Sequence, residues 1–186
     1  MAELNLSMTQ LFQATFGYKT NVFDFGKLPQ RKEQSSTGAA YYSLDAFGRE
    51  YYMPVYLDGY ELPYPVVKIN GRKNIVKTPL TQRRGTFKQY INIDDYQIII
   101  RGIIISKTND FPEKEVKELR AIFEQKKALS IISPITDIFL NTQERQGFDK
   151  VVIEDFDFPE TVGVTNVRGY ELRCYSDEEF NLIEKT

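Results

Sequence analysis

Three rhythms of apolar and polar positions divide the chain. Leu4, Met8, Leu11 and Phe12 recur at helical spacing, which predicts one apolar stripe on a short amphipathic helix. Ser7 with Gln10 three residues on has the form of a capping box, and Gly17 is a stop signal. Residues 18–50 then lose all periodicity. The polar run from Lys32 to Ala40 and the glycines at 26, 38 and 48 predict a long loop or extended arm. Fully extended, that segment would reach on the order of 100 Å.

From Tyr51 the rhythm changes to strands. Tyr51–Leu57, Tyr60–Ile69 and Arg72–Val76 are separated by Asp58-Gly59 and Asn70-Gly71. Both dipeptides suit the positive φ angles of two-residue hairpins, so a three-stranded meander is expected. Pro54, Pro63 and Pro65 place these strands at edges or bulges. Phe87, Gln89, Ile91 and Ile93 alternate on one face of a further strand. The run Ile98–Ile105, broken only by Arg101-Gly102, reads as a central strand covered on both faces. Arg101, if buried, needs a carboxylate or carbonyl partner.

A single helix follows, near residues 112–128. Asp110 and Glu113 are its expected cap, and Val116, Leu119, Ile122 and Phe123 its inward stripe. Strands resume at Leu129–Ser133, with a short apolar piece at Ile135–Leu140. In Phe148–Phe158 the apolar parity switches between Ile153 and Phe156, which predicts a bulge near Glu154-Asp155. Gly169–Ser176 alternates cleanly, with Tyr170, Leu172 and Cys174 on one face. Strands, one helix and strands again predict an α+β fold: a curved antiparallel β-sheet or small β-barrel with one packed helix and an N-terminal arm. The expected division is residues 1–50 as helix and arm, and 51–186 as the β-rich domain.

Composition narrows the chemistry. The 186 residues include no His and one Cys, which removes His-dependent nucleophile systems, His-ligated zinc and any intramolecular disulfide. Cys174 reads as an inward strand position. Phosphate-binding glycine signatures are missing, and Asn70-Gly71-Arg72-Lys73 reads as a turn, not a phosphate cradle. Glu154, Asp155, Asp157 and Glu160 read as a solvated acidic strand, lacking a calcium-loop pattern. Glu115 and Lys117, spaced as half of a nuclease motif, fall on the helix instead of a strand. No catalytic residue, cofactor or metal is expected. The N-terminus has no signal-peptide pattern and the apolar runs are too short to span a bilayer.

Charge is strongly segregated. Residues 62–93 hold seven cations (Lys68, Arg72, Lys73, Lys77, Arg83, Arg84, Lys88) and no acid. Residues 153–186 hold nine acids and three cations. Interface candidates are therefore Arg72, Lys73, Arg83, Arg84 and Lys88 on one side and Glu154, Asp155 and Asp157 on the other, paired between copies. A nucleic-acid- or ligand-binding β module, with Phe87 and Tyr90 as stacking groups, is the alternative. The acidic strands count against nucleic acid as a specific ligand. Neutralisation of the two segments within one monomer is a third possibility.

The stretch from about Ile75 to Asp177 resembles an uncharacterised family encoded in tail gene clusters of bacteriophages and contractile injection systems. The resemblance lies in Gln82-Arg83-Arg84-Gly85-Thr86-Phe87, the Ile-rich strand broken by Arg101-Gly102, the single helix, and Lys150-Val151-Val152-Ile153. It continues in Phe158-Pro159-Glu160, Gly163, Asn166, Tyr170-Glu171-Leu172 and Ser176-Asp177, and Phe16-Gly17-Tyr18 is also similar. It implies a tail-tube-like barrel or sandwich in a structural protein of the tube or baseplate-hub region, assembled in the bacterial cytoplasm. The partners implied are further copies in a ring-type homo-oligomer and other tail proteins, with no catalytic residues to carry over.

Overall fold

The computed structural model describes residues 17, 33–35, 38–45, 47–81, 84–106, 110–140, 149–159 and 165–177. The expected N-terminal helix lies outside them. A seven-stranded antiparallel sheet runs in the order β4(Tyr60–Glu61), β3(Tyr56–Leu57), β9(Leu129–Ile132), β10(Lys150–Asp157), β11(Val167–Ser176), β8(Gln97–Ile105), β5(Val66–Asn70). It is curved and does not close into a barrel, so the α+β curved-sheet expectation holds in its open form. A second pair, β1(Tyr42–Leu44) and β2(Glu50–Tyr52), and a third, β6(Lys73–Pro79) and β7(Thr86–Ile93), stand apart from it.

β8 and β11 pair over nine positions and form the centre. On one face Ile98, Ile100, Leu172, Cys174 and Tyr170 are buried with Leu57, Leu62, Leu119, Ile131 and Val151. Gly102 is needed here for close approach, not for a turn. Paired directly with Tyr170, it leaves the space that the phenol ring fills, and a Cβ at Gly102 would lie 2.3 Å from that ring. The Tyr170 hydroxyl then donates to the Pro63 carbonyl at 2.9 Å, so a fully buried polar tip is satisfied.

The other face of β8 is not fully covered: Ile99, Arg101 and Ile105 are half-buried. There the expected partner of Arg101 is present. Its Nε donates to Glu171 at 2.6 Å, Arg173 bonds the same carboxylate at 3.0 Å, and Arg173 reaches Asp155 at 3.4 Å. This ladder crosses β8, β11 and β10, and its charge explains why the face can remain open to water. The bulge appears where the parity switch placed it, between Ile153 and Asp155.

Helix α1(Glu113–Phe123) buries Leu119 and Ile122 on the sheet and sets Phe123 5.4 Å from Phe156. Pro112 occupies its N-cap position and no side chain caps it, contrary to the Asp110/Glu113 expectation. A proline with fixed φ already presets the turn, which leaves the cap side chain little to add. The apolar piece at Ile135–Leu140 belongs to a second helix, α2(Pro134–Leu140). A proline at the first helical position is the signal that the strand-like composition hid.

The expected meander is corrected. Its first turn forms as read: Asp58 and Gly59 have φ of 49° and 82° and join β3 to β4. The second does not. β5 pairs with β8, β6 pairs with β7, and Gly71 is not among the residues with positive φ. Pairing β5 with the Ile-rich β8 half-buries Val67 and Ile69 against the core, and that burial outweighs local turn preference.

Candidate interaction surface

β6 and β7 form a two-stranded ribbon inserted between β5 and β8. Because β5 and β8 are themselves antiparallel neighbours, the ribbon continues their hairpin beyond the sheet. The root is well held. The Asp94 N–H donates to the Arg72 carbonyl at 2.9 Å. The Tyr96 ring packs so closely on Gly71 that a Cβ there would lie 2.8 Å from it, and it makes an edge contact with Phe139 of α2 at 5.8 Å. Past the root there is no support. All eight residues of β7 are exposed, and of β6 only Asn74 is half-buried. Phe87, Tyr90, Ile91 and Ile93 are each at least 50% exposed.

Register separates the ribbon into two chemically different faces. Lys73↔Ile93, Ile75↔Tyr90 and Lys77↔Lys88 lie on one, cationic and apolar. Val76↔Gln89 and Thr78↔Phe87 lie on the other, which is neutral. The only side-chain hydrogen bond along it links Asn74 to Asn92 at 2.9 Å, among the described residues. A bulge beside Ile75 sharpens the local twist. Two lysines directly opposite one another repel, and a lone two-stranded ribbon is at best marginally stable in water. The Asn74–Asn92 bond and the opposed Ile75–Tyr90 pair offset these penalties only in part.

Of the expected interface residues, the structure brings Arg72, Lys73 and Lys88 together on the ribbon, with Arg84 exposed beside Gly85 at its tip. Arg83 lies outside the described residues. Glu154, Asp155 and Asp157 sit on the C-terminal half of β10. Asp155 engages Arg173, whereas Glu154 and Asp157 are exposed. Lys77, one of the seven cations of residues 62–93, is not among the expected interface candidates, and the structure places it on the ribbon opposite Lys88.

A second cluster ties β1 and β2 to the body around a cavity of about 190 Å³ that Asp45, Tyr51, Glu61, Tyr64, Ile104 and Glu115 help to line. Two of its carboxylates, Asp45 and Glu61, are already engaged. Asp45 accepts from the Tyr64 hydroxyl and from Arg49 Nε at 2.8 Å, and Glu61 accepts from Ser43 and Tyr51. Burial pushes Asp45 upward, but the bonds from Tyr64 and Arg49 outweigh it and hold the carboxyl at about 2. Burial and the Asp45 bond push the Tyr64 hydroxyl to about 12. The arrangement is a latch. Burial also raises the Cys174 thiol to about 12, which makes it inert. Among the described residues no three His, Cys, Asp or Glu side chains converge to hold a metal, and no helix is long and apolar enough to cross a membrane.

The profile of a family described as a domain of unknown function, DUF6046, matches residues 61–186. No curated protein matches the sequence. Among solved structures, the chain is similar to the Dit (gp 19.1) protein of phage SPP1, with 12% identity and a TM-score of 0.46 over 68% of this chain and 50% of that one. The chain thus spans about half the length of that protein. It is also similar to a chain of the tail of an empty gene transfer agent particle, with 13% identity and a TM-score of 0.43 over 69% and 92%. A third is a chain of the sheath/tube terminator of the extracellular contractile injection system PVC, with 12% identity and a TM-score of 0.39 over 68% and 89%.

Proposed function

The chain belongs to the DUF6046 family, and we propose that this member is a structural subunit of a phage tail or tail-like injection particle, in its tube or baseplate-hub region. It acts by assembly, not by turnover. The observation that carries the assembly reading is the β6–β7 ribbon, whose two faces are both open and whose apolar residues have no cover among the described residues. Exposed apolar surface of this kind marks a contact site, and the segregated charge supplies a complementary partner in another copy. The particle itself is supported by the resemblance of the motifs between Ile75 and Asp177 to proteins of tail gene clusters. Sheet edges and the N-terminal arm contribute further contacts in a ring-type homo-oligomer, beside other tail proteins.

The test is solution mass by light scattering over a range of protein and salt concentrations, with negative-stain imaging of the same samples. Discrete rings, or a monomer that shifts to them as concentration rises, are expected. A strict monomer at every concentration contradicts self-assembly.

A further inference from the structure

The ribbon leaves one end of the strands and Asp157 of β10 lies at the other, with Glu154 between them. The pairing register fixes this. At one end of the strands the aligned row is Asn70, Gln97, Tyr175 and Val152, and the ribbon leaves from that row. At the other end the row is Val66, Arg101, Glu171 and Asp157. Four residues of β8 separate the rows, about 13 Å along the strand, and the seven residues of β6 run about 23 Å further in the opposite direction. Across the sheet, β11 and β8 also stand between β10 and β5. Asp157 therefore lies at the far end of the strands from the ribbon's root, and none of Lys73, Lys77 and Lys88 pairs with a carboxylate of its own chain among the described residues.

Both surfaces are also open in the same manner. β10 pairs with β9 only through Lys150 and Val151. Among the described residues, Val152–Asp157 consequently has an unpaired edge on that side, lined by Glu154 and Asp157. The ribbon has unpaired outer edges along both strands. An open edge of six residues bearing carboxylates and an open ribbon of seven and eight residues bearing lysines match in length, in backbone pairing capacity and in sign of charge.

We propose that the ribbon of one copy docks on the Val152–Asp157 segment of a second copy, so that Lys73, Lys77 and Lys88 meet Glu154 and Asp157 in a heterologous, head-to-tail contact. This rests on the assembly reading above and gives it a direction. Each copy offers one donor pole and one acceptor pole, so copies add in series and either close into a ring or extend.

Two charge-reversed chains test it: Lys77→Glu with Lys88→Glu, and Glu154→Lys with Asp157→Lys. Circular dichroism verifies that both fold. Each alone is expected to weaken self-association at least about a hundredfold, the size of two reversed close charge pairs. Mixed together they should regain assembly as alternating copies, because the native ribbon meets the native acceptor and the reversed ribbon meets the reversed one. The fourfold variant should regain wild-type assembly. If the lysine variant assembles as wild type does, the ribbon reading itself falls. If the lysine variant is monomeric while the carboxylate variant assembles normally, only the proposed acceptor is wrong. Mixtures that stay monomeric, when each variant alone is monomeric, overturn the pairing of these two surfaces.

Discussion

β8 and β7 are neighbours in sequence, similar in length and rich in isoleucine, yet one is the centre of the core and the other is wholly exposed. β8 acquires its burial from partners on both edges, β11 and β5. Its face positions are matched in detail: Gly102 against Tyr170, Arg101 against Glu171. β7 has only β6, and among the described residues no helix or sheet covers either face of it. Strand character is thus a local property, whereas burial depends on what the chain brings opposite. The ribbon carries apolar residues for which this chain supplies nothing opposite among its described residues.

That contrast can be broken first at its strongest point. Gly102→Val drives two methyl groups into the Tyr170 ring and is expected to cost about 3 kcal/mol of folding stability, measured by urea unfolding. A loss below about 1 kcal/mol would mean that the ring has room to move. Tyr170→Phe leaves the Pro63 carbonyl without its donor and should cost about 1–2 kcal/mol.

Arg101→Met should cost about 1 kcal/mol near neutral pH, since Glu171 retains Arg173. Burial pushes the Glu171 carboxyl upward, but the bonds from Arg101 and Arg173 outweigh it and hold the group below its usual range. A lowered folded value means that this stabilisation is complete above the ordinary carboxylate range and is lost as pH falls through the folded value. Stability measured between pH 7 and pH 3 should therefore decline less steeply in Arg101→Met than in the wild type. Parallel curves would show that the ladder does not couple to folding.

At the small end, Phe87→Ser with Tyr90→Ser should change the unfolding free energy of the monomer by no more than about 0.5 kcal/mol, while sharply reducing self-association. A loss of several kcal/mol would place those rings in the monomer's own core.

Much of the body was legible in the sequence. The alternation in Gly169–Ser176 gave the buried face of β11, the parity switch gave the bulge in β10, and a lone arginine in an isoleucine run gave the ion pair. Each of these depends on a period of two and on the cost of burying an unpaired charge. What failed depended on long-range competition. Asn70-Gly71 has the composition of a hairpin turn, but β8 lies 27 residues away and captures β5, so the chain runs straight through the dipeptide into the ribbon. The alternation in Phe87–Ile93 likewise implied a half-buried strand, and periodicity does not state whether the covering surface belongs to the same chain. Of the site, the charge segregation was readable. The placement of Asp157 at the far end of the strands from the ribbon was not, because it follows from register.

Hydrogen exchange of the β7 amides as a function of protein concentration tests the central claim most directly. The account predicts rapid exchange of the ribbon in dilute solution, with β8 and β11 strongly protected, and ribbon protection that rises with concentration in step with the solution mass. Ribbon amides already as protected as those of β8 in a dilute monomer, or still unprotected in an assembled sample, would contradict it.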